Sequence, residues 1–244
     1  MKVRKIYETD SWLEPFKGAV DARHDRVLSD RRKLFADRPL KDAVCNHLYY
    51  GLHRTAAGWV FREWAPNATK VYLTGDFNNW KRTSAFLLSP IGNGNWEIHL
   101  PEMFLHHGDL YKLYMEWPGG SGERIPAYVT RAVQDPQTKA FAAQVWDPKD
   151  KYEWKSSRPA RIDNPLIYEC HIGMGSEEEK VASFEDFRRD VLPRVARLGY
   201  NVIQIMALQE HPYYGSFGYQ VSNFFALSSR FGTPEEFKAL VDDA

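Results

Sequence analysis

The chain has 244 residues, enough for one large domain or two of modest size, and its 43% hydrophobic content suits a protein that buries a core. Lysine plus arginine equals aspartate plus glutamate at 32 each, so no net field draws it toward nucleic acid or an anionic membrane surface. Its two cysteines, Cys45 and Cys170, lack metal-ligand spacing; this argues against a disulfide framework or metal site and makes a reducing compartment, the cytoplasm, the expected location.

The opening MKVRKIYETD lacks the apolar stretch of a secretory leader, and no apolar run approaches the ~20 residues of a membrane helix. Residues 1–45 are expected to form a helical segment. Over 11–38, Trp12, Phe16, Val20, Val27, Leu28 and Phe35 recur near the helical period, which predicts an arm packing on a neighbour.

From Gly58 to about Trp146 the period changes to two. Trp59 and Phe61 share one face, and Val60, Arg62 and Trp64 the other. Val71 and Leu73, then Trp96, Ile98 and Leu100, then Tyr111, Leu113, Met115 and Trp117 alternate likewise. Turn residues separate the runs: Ala65-Pro66-Asn67, Asp76-Phe77-Asn78-Asn79, Gly92-Asn93-Gly94-Asn95 and Pro118-Gly119-Gly120. Short strands at this spacing predict a β-sandwich. Trp59 and Trp96 are assigned to its core, whereas Trp64, Trp80 and Trp117 lie at strand ends where a ring can be exposed.

Residues 149–165, charged and punctuated by Pro159 and Pro165, read as a linker. From Leu166 a buried strand (LIYECHI) precedes a helix opened by a capping box at Ser183–Asp186, with Phe184, Phe187, Val191, Val195 and Leu198 on one stripe and a kink at Pro193. A second buried strand (VIQIMAL) follows. The last helix starts at Thr233-Pro234 and buries Phe237, Leu240 and Val241. This βαβα order predicts a parallel sheet, and two such units are too few to close a barrel. The chain therefore reads as cut short at Ala244.

For chemistry, a Cys170–His171 nucleophilic pair is conceivable, but neighbouring strand residues point to opposite faces, so Cys170 is read as structural. Glu210 and His211 read as shaping the loop after the second strand. That loop, His211 to Gln220, is rich in Tyr and Gly, and flat rings suit the apolar faces of sugars. Ordinary loop packing accounts for the same residues equally well.

Residues 58–80, GWVFREWAPNATKVYLTGDFNNW, closely resemble the start of a family 48 carbohydrate-binding module, an immunoglobulin-like sandwich. Residues 166–244, with IYECHIG, VLPRVARLGYN and EHPYYGSFGYQ, resemble the branching enzymes of glycoside hydrolase family 13. The resemblance implies a multidomain chain: a helical segment (1–45), the module (46–148), a linker (149–165) and the first two βα units of a (β/α)8 barrel (166–244). It implies a retaining double displacement that moves an α-1,4-glucan chain to a 6-hydroxyl, using an Asp nucleophile and a Glu acid/base. Both carboxylates are expected beyond Ala244, so this chain alone is expected to bind glycogen or another α-1,4-glucan without catalysis, and with no metal or cofactor. Tyr219 matches the family tyrosine that stacks on the sugar, and Gln220 and His211 belong to the same block. In the module, the implied glucan contacts fall at Trp64, Pro66, Gly94 and Asn95, whereas related kinase-associated modules use rings matching Trp80 and Trp117. The alternative is a non-catalytic glycogen-binding protein that recruits partners; a debranching relative is disfavoured by EHPYYGSFGYQ.

Overall fold

The computed structural model of the protein describes residues 5–36 and 38–244. They divide into two compact units, one ending at Leu48 and the other spanning Tyr49–Ala244. In the first unit a 3₁₀ stretch, Ser11–Phe16, runs into α1 (Lys17–Phe35), and a short α2 (Leu40–Ala43) follows. The Asp10 carboxylate starts the 3₁₀ stretch by accepting the Trp12 N–H at 3.0 Å. The expected helix is present as α1, ending at Phe35, and Asp37 of the expected span lies outside the described residues. No residue of α1 is buried, and Trp12 is 86% exposed. The cause is in the stripe itself. Between Val20 and Val27 the positions three and four residues on are Arg23 and His24, and after Val27 and Leu28 they are Arg31 and Arg32. Charge thus interrupts the apolar face at every second turn.

The second unit begins with the sandwich. One sheet has the order β1 (Gly51–Thr55), β2 (Gly58–Trp64), β5 (Asn95–Leu100), β4 (Ser89–Gly92). The other has the order β3 (Lys70–Gly75), β6 (Leu110–Trp117), β9 (Phe141–Gln144), β8 (Ala132–Gln134), with β7 (Gly120–Arg124) also paired to β6. Every pairing is antiparallel. Period-two alternation fills the space between the sheets: Trp59, Phe61, Val71, Leu73, Trp96, Ile98, Leu100, Tyr111 and Leu113 form one apolar cluster.

After the sandwich, β10 (Ile167–His171) and β11 (Val202–Met206) pair in parallel, with Cys170 opposite Ile205. The helix between them starts at α3 (Phe184–Asp186), where Ser183 Oγ accepts the Asp186 N–H at 3.0 Å and Asp186 accepts the Ser183 N–H at 3.0 Å. A wide π turn, Phe187–Val191, then leads into α4 (Leu192–Arg197), and Pro193 sits at its start. Val195 stays buried on the stripe, but Leu198 is the residue that closes α4, just past Arg197, and is 70% exposed, against expectation. The chain then forms a hairpin, β12 (Gln209–Glu210) with β13 (Asn223–Leu227), and ends in α5 (Pro234–Asp243), capped by Thr233 and Glu236. Phe237 and Leu240 pack inward as expected, but Val241 is 45% exposed, lining an open cleft with Leu192, Val195 and Ile203.

The stretch expected as a linker is strapped down. Tyr152 Oη and the Lys155 and Ser156 N–H groups all donate to the Asp242 carboxylate, at 2.6, 2.8 and 2.8 Å. Ala226 of β13 packs into the sandwich cluster, and Arg131 bridges to Leu227. The sandwich and the parallel strands therefore belong to one compact unit.

Candidate functional site

At one end of the sandwich, β2 leaves the sheet at Trp64 and turns through Ala65-Pro66. This turn is tied to the β4–β5 hairpin: the Ala65 N–H donates to Gly94 O at 2.8 Å, Trp96 Nε1 donates to Ala65 O at 3.0 Å, and Trp64 Nε1 donates to Asn93 O at 3.1 Å. Gly94 makes the closure possible. Its φ is +78°, and a Cβ there would lie 2.7 Å from Pro66 Cβ and 3.0 Å from Trp64 Nε1. Asn95 supports the turn from below, accepting the Tyr50 hydroxyl at 2.6 Å.

A groove of about 340 Å³ opens beside this turn, lined by Trp64, Pro66, Asn67, Met115, Trp117 and Arg124, with Glu63 and Ile125 at its floor. Trp64 is 57% exposed, and its indole is held in place by the Asn93 carbonyl. The Arg124 guanidinium lies 5.1 Å from the Trp117 ring centroid, a cation–π contact that fixes both. Glu63 is 5% exposed; burial pushes its carboxyl up from the usual range, while the Trp64 and Ala127 N–H groups, at 2.9 and 3.2 Å, oppose that shift. Two indoles, a proline and a guanidinium around one groove form an amphipathic surface: flat apolar faces with polar groups at the edge.

The structure brings Trp64, Pro66, Gly94, Asn95 and Trp117 to one place and leaves Trp80 elsewhere. Trp80 follows β3 on the outer face of the second sheet, its Nε1 donating to Asp76 at 3.0 Å and its ring facing Lys112 at 6.0 Å. Lys112 alternates with the buried Tyr111 and Leu113, so it points away from the sandwich interior. Trp80 and Trp117 are therefore not one patch.

A second group lies on the loop between β12 and β13. Tyr219 is 84% exposed and Gln220 is exposed, whereas His211 is fully buried. His211 Nδ1 donates to Gln209 O at 2.8 Å, and Nε2 has no partner. Gly218 brings the loop against the second parallel strand: with φ +78°, its Cβ would lie 2.3 Å from Ala207 Cα. His171, at the end of β10, is packed by the Tyr214, Phe217 and Phe231 rings and has neither nitrogen partnered; burial first, then nearby His211, lowers its pKa. The Cys170 thiol is buried and pushed up to about 11 by desolvation, which suits a structural thiol and not a nucleophile. Among the described residues no cluster of three or more His, Cys, Asp or Glu could hold a metal ion, and no helix is long and apolar enough to cross a membrane.

The two charged groove residues were missed at the level of sequence. Glu63 carried a signal, because alternation from Trp59 and Phe61 puts it on the inward face. Arg124 carried none: the β6–β7 register sets it opposite Leu113, and only the reach of the two side chains along the hairpin brings its guanidinium to the Trp117 ring.

Comparison with known proteins bears on both groups. The family profile described as Carbohydrate-binding module 48 (Isoamylase N-terminal domain) matches residues 49–136. A 1,4-alpha-glucan-branching enzyme of Dictyostelium discoideum is 41% identical over 98% of this chain and 36% of its own length. The chain is thus similar to branching enzymes over nearly its whole length. Another relative, the 1,4-alpha-glucan-branching enzyme 2-2, chloroplastic/amyloplastic, of Arabidopsis thaliana, is 42% identical over 99% of this chain and 31% of its own length. The chain thus spans about a third of these relatives. Its fold is also that of a solved putative alpha amylase from Salmonella typhimurium, with TM-score 0.64 and 24% identity over 80% of this chain and 31% of that one.

Proposed function

We propose that this chain is the glucan-holding part of a branching enzyme, which cuts an α-1,4-glucan and joins the released chain to a 6-hydroxyl in glycogen biosynthesis. The observation that carries the reading is the groove between Trp64, Pro66 and Trp117 in a chain 41% identical to a branching enzyme over nearly its whole length. A sugar ring presents axial C–H groups to the indoles and hydroxyls to Arg124 and Asn67 at the rim. At about 340 Å³ the groove takes a few glucose units, toward the lower end of typical ligand sites of about 300–1,000 Å³.

On this reading residues 166–244 are the first two βα units of a (β/α)8 barrel, and the loop bearing Tyr219 and Gln220 lies at its substrate face. Tyr219, with its ring in solvent, is a stacking contact for the sugar next to the cleaved bond. His211 supports the loop from within. The nucleophile and acid/base carboxylates of the reaction are assigned to no residue of this chain, which therefore binds glucan without transferring it. The site of action is the cytoplasm.

The test is incubation of the chain with amylose, followed by two readouts: co-sedimentation with the polymer, and new α-1,6 linkages scored by a debranching enzyme. Retention without new linkages is the expected result. New linkages would sink the assignment of catalysis to residues outside this chain, and a folded chain that stays in the supernatant would sink the glucan reading.

A further inference from the structure

The loop that carries Tyr219 has little burial to hold it: of residues 211–222 only His211 is buried. Its two roots instead close on a charged pair. Glu210 is fully buried, and its carboxylate accepts the Ser229 N–H at 2.7 Å, the His211 N–H at 3.1 Å and the Ser228 hydroxyl at 3.4 Å. Arg230 lies 3.4 Å from the same carboxylate and donates to the carbonyls of His211 and of Pro212, the latter at 2.7 Å. The far root is held by the Glu210 backbone, whose carbonyl accepts Ser222 N–H at 2.9 Å and Ser222 Oγ at 3.1 Å. The pair also reaches the sandwich. Arg230 Nη2 donates to Gln134 Oε1 on β8 at 3.3 Å, and Arg131, three residues earlier, donates to Gly232 O at 2.6 Å.

A buried carboxylate costs several kcal/mol in desolvation unless its partners are well placed, so such a pair is a poor means of stabilising a fold in general. Here the donors sit at the start of the loop and just after β13, and the planar Arg fork spans two successive carbonyls that a lysine could not hold together. We propose that Glu210 and Arg230 are positioning residues: they clamp both roots of the 211–222 loop onto β8, so that Tyr219 meets glucan at a fixed place. The sandwich is then part of the footing of the substrate loop as well as a carrier of its own groove. The glucan arm of this inference rests on the Tyr219 contact proposed above, whereas the clamp itself is judged without it.

Two measurements on the whole chain test it. In Arg230→Gln, amide hydrogen exchange of residues 213–222 is expected to rise about tenfold relative to the sandwich strands, a loss of about 1.4 kcal/mol of local protection. Gln134→Leu, which cuts only the link to β8 and carries little risk to folding, is expected to raise the same amides by a smaller factor. Maltoheptaose affinity is then measured for Arg230→Gln, Tyr219→Ala and the double variant. A clamp that acts through Tyr219 makes Arg230→Gln weaken binding in the parent chain and add nothing in the Tyr219→Ala background. Unchanged exchange at 213–222 in both folded variants would overturn the proposal. So would equal losses of affinity in both backgrounds. If Tyr219→Ala alone leaves affinity unchanged, the sugar contact falls, and the exchange measurement still decides the clamp.

Discussion

Replacing Trp64 by alanine should cost the chain most of its affinity for a linear α-glucan while leaving it folded. Trp64 is more than half exposed, so truncation removes little buried area. The fold loses chiefly the Nε1 bond to Asn93 O, worth about 1 kcal/mol. Binding loses more. A glucose ring laid on the indole covers roughly 100 Å² of apolar surface, which at ~25 cal/mol per Å² is about 2.5 kcal/mol. Each 1.4 kcal/mol is a factor of ten, so the dissociation constant should rise by roughly 60-fold. The association cost does not enter, because it is common to both proteins. The assay is calorimetric titration with maltoheptaose, with thermal melts of both chains as the folding control. A folded variant whose affinity falls less than about threefold would refute the argument, since so small a loss, under 1 kcal/mol, is less than half the stacking contact.

Two further outcomes follow from the same geometry. Trp80→Ala should leave maltoheptaose affinity within a factor of about two, less than 0.5 kcal/mol, because Trp80 lies on the outer sheet face with Lys112 and away from the groove; a loss comparable to that of Trp64→Ala, read in the same titration, would move the site. His171 contributes a pH dependence whose sign is fixed by burial: its folded pKa lies below its ordinary value near 6.5. The unfolded chain therefore takes up the proton first, and stability falls as pH drops below about 6.5. Glu63, whose pKa is raised, works in the opposite direction at lower pH, so the comparison is with His171→Phe. Melting temperatures between pH 7.5 and 5.5 should decline less steeply in that variant, and an identical decline would show that His171 is not the group responsible.

The sandwich was legible because its signal is local: period-two alternation at Trp96-Ile98-Leu100 and Tyr111-Leu113 is a property of each strand, whatever it packs on. The capping residues Ser183 and Thr233 were legible for the same reason. What failed was non-local. Leu198, placed on the stripe by spacing, closes the end of α4 and stays in solvent. The 149–165 stretch has the composition of a linker but is held by Asp242, 90 residues after Tyr152. Charged residues carried the rest of the hidden information. Glu210 read as shaping its loop, but nothing in the sequence pointed to Arg230, and only the hairpin that pairs Gln209 with Leu227 makes them partners. In the groove, the aromatic residues stood out in the sequence, whereas Arg124 acquires meaning only from the ring beneath it.

The most direct test of the glucan reading is to titrate the ¹⁵N-labelled chain with maltoheptaose and follow its eight tryptophan indole N–H resonances. The expected result is that the Trp64 and Trp117 signals shift together and saturate, while those of the buried Trp59 and Trp96 stay close to their starting positions. Saturable shifts confined to Trp80, or none at any indole of the folded chain, would contradict the account.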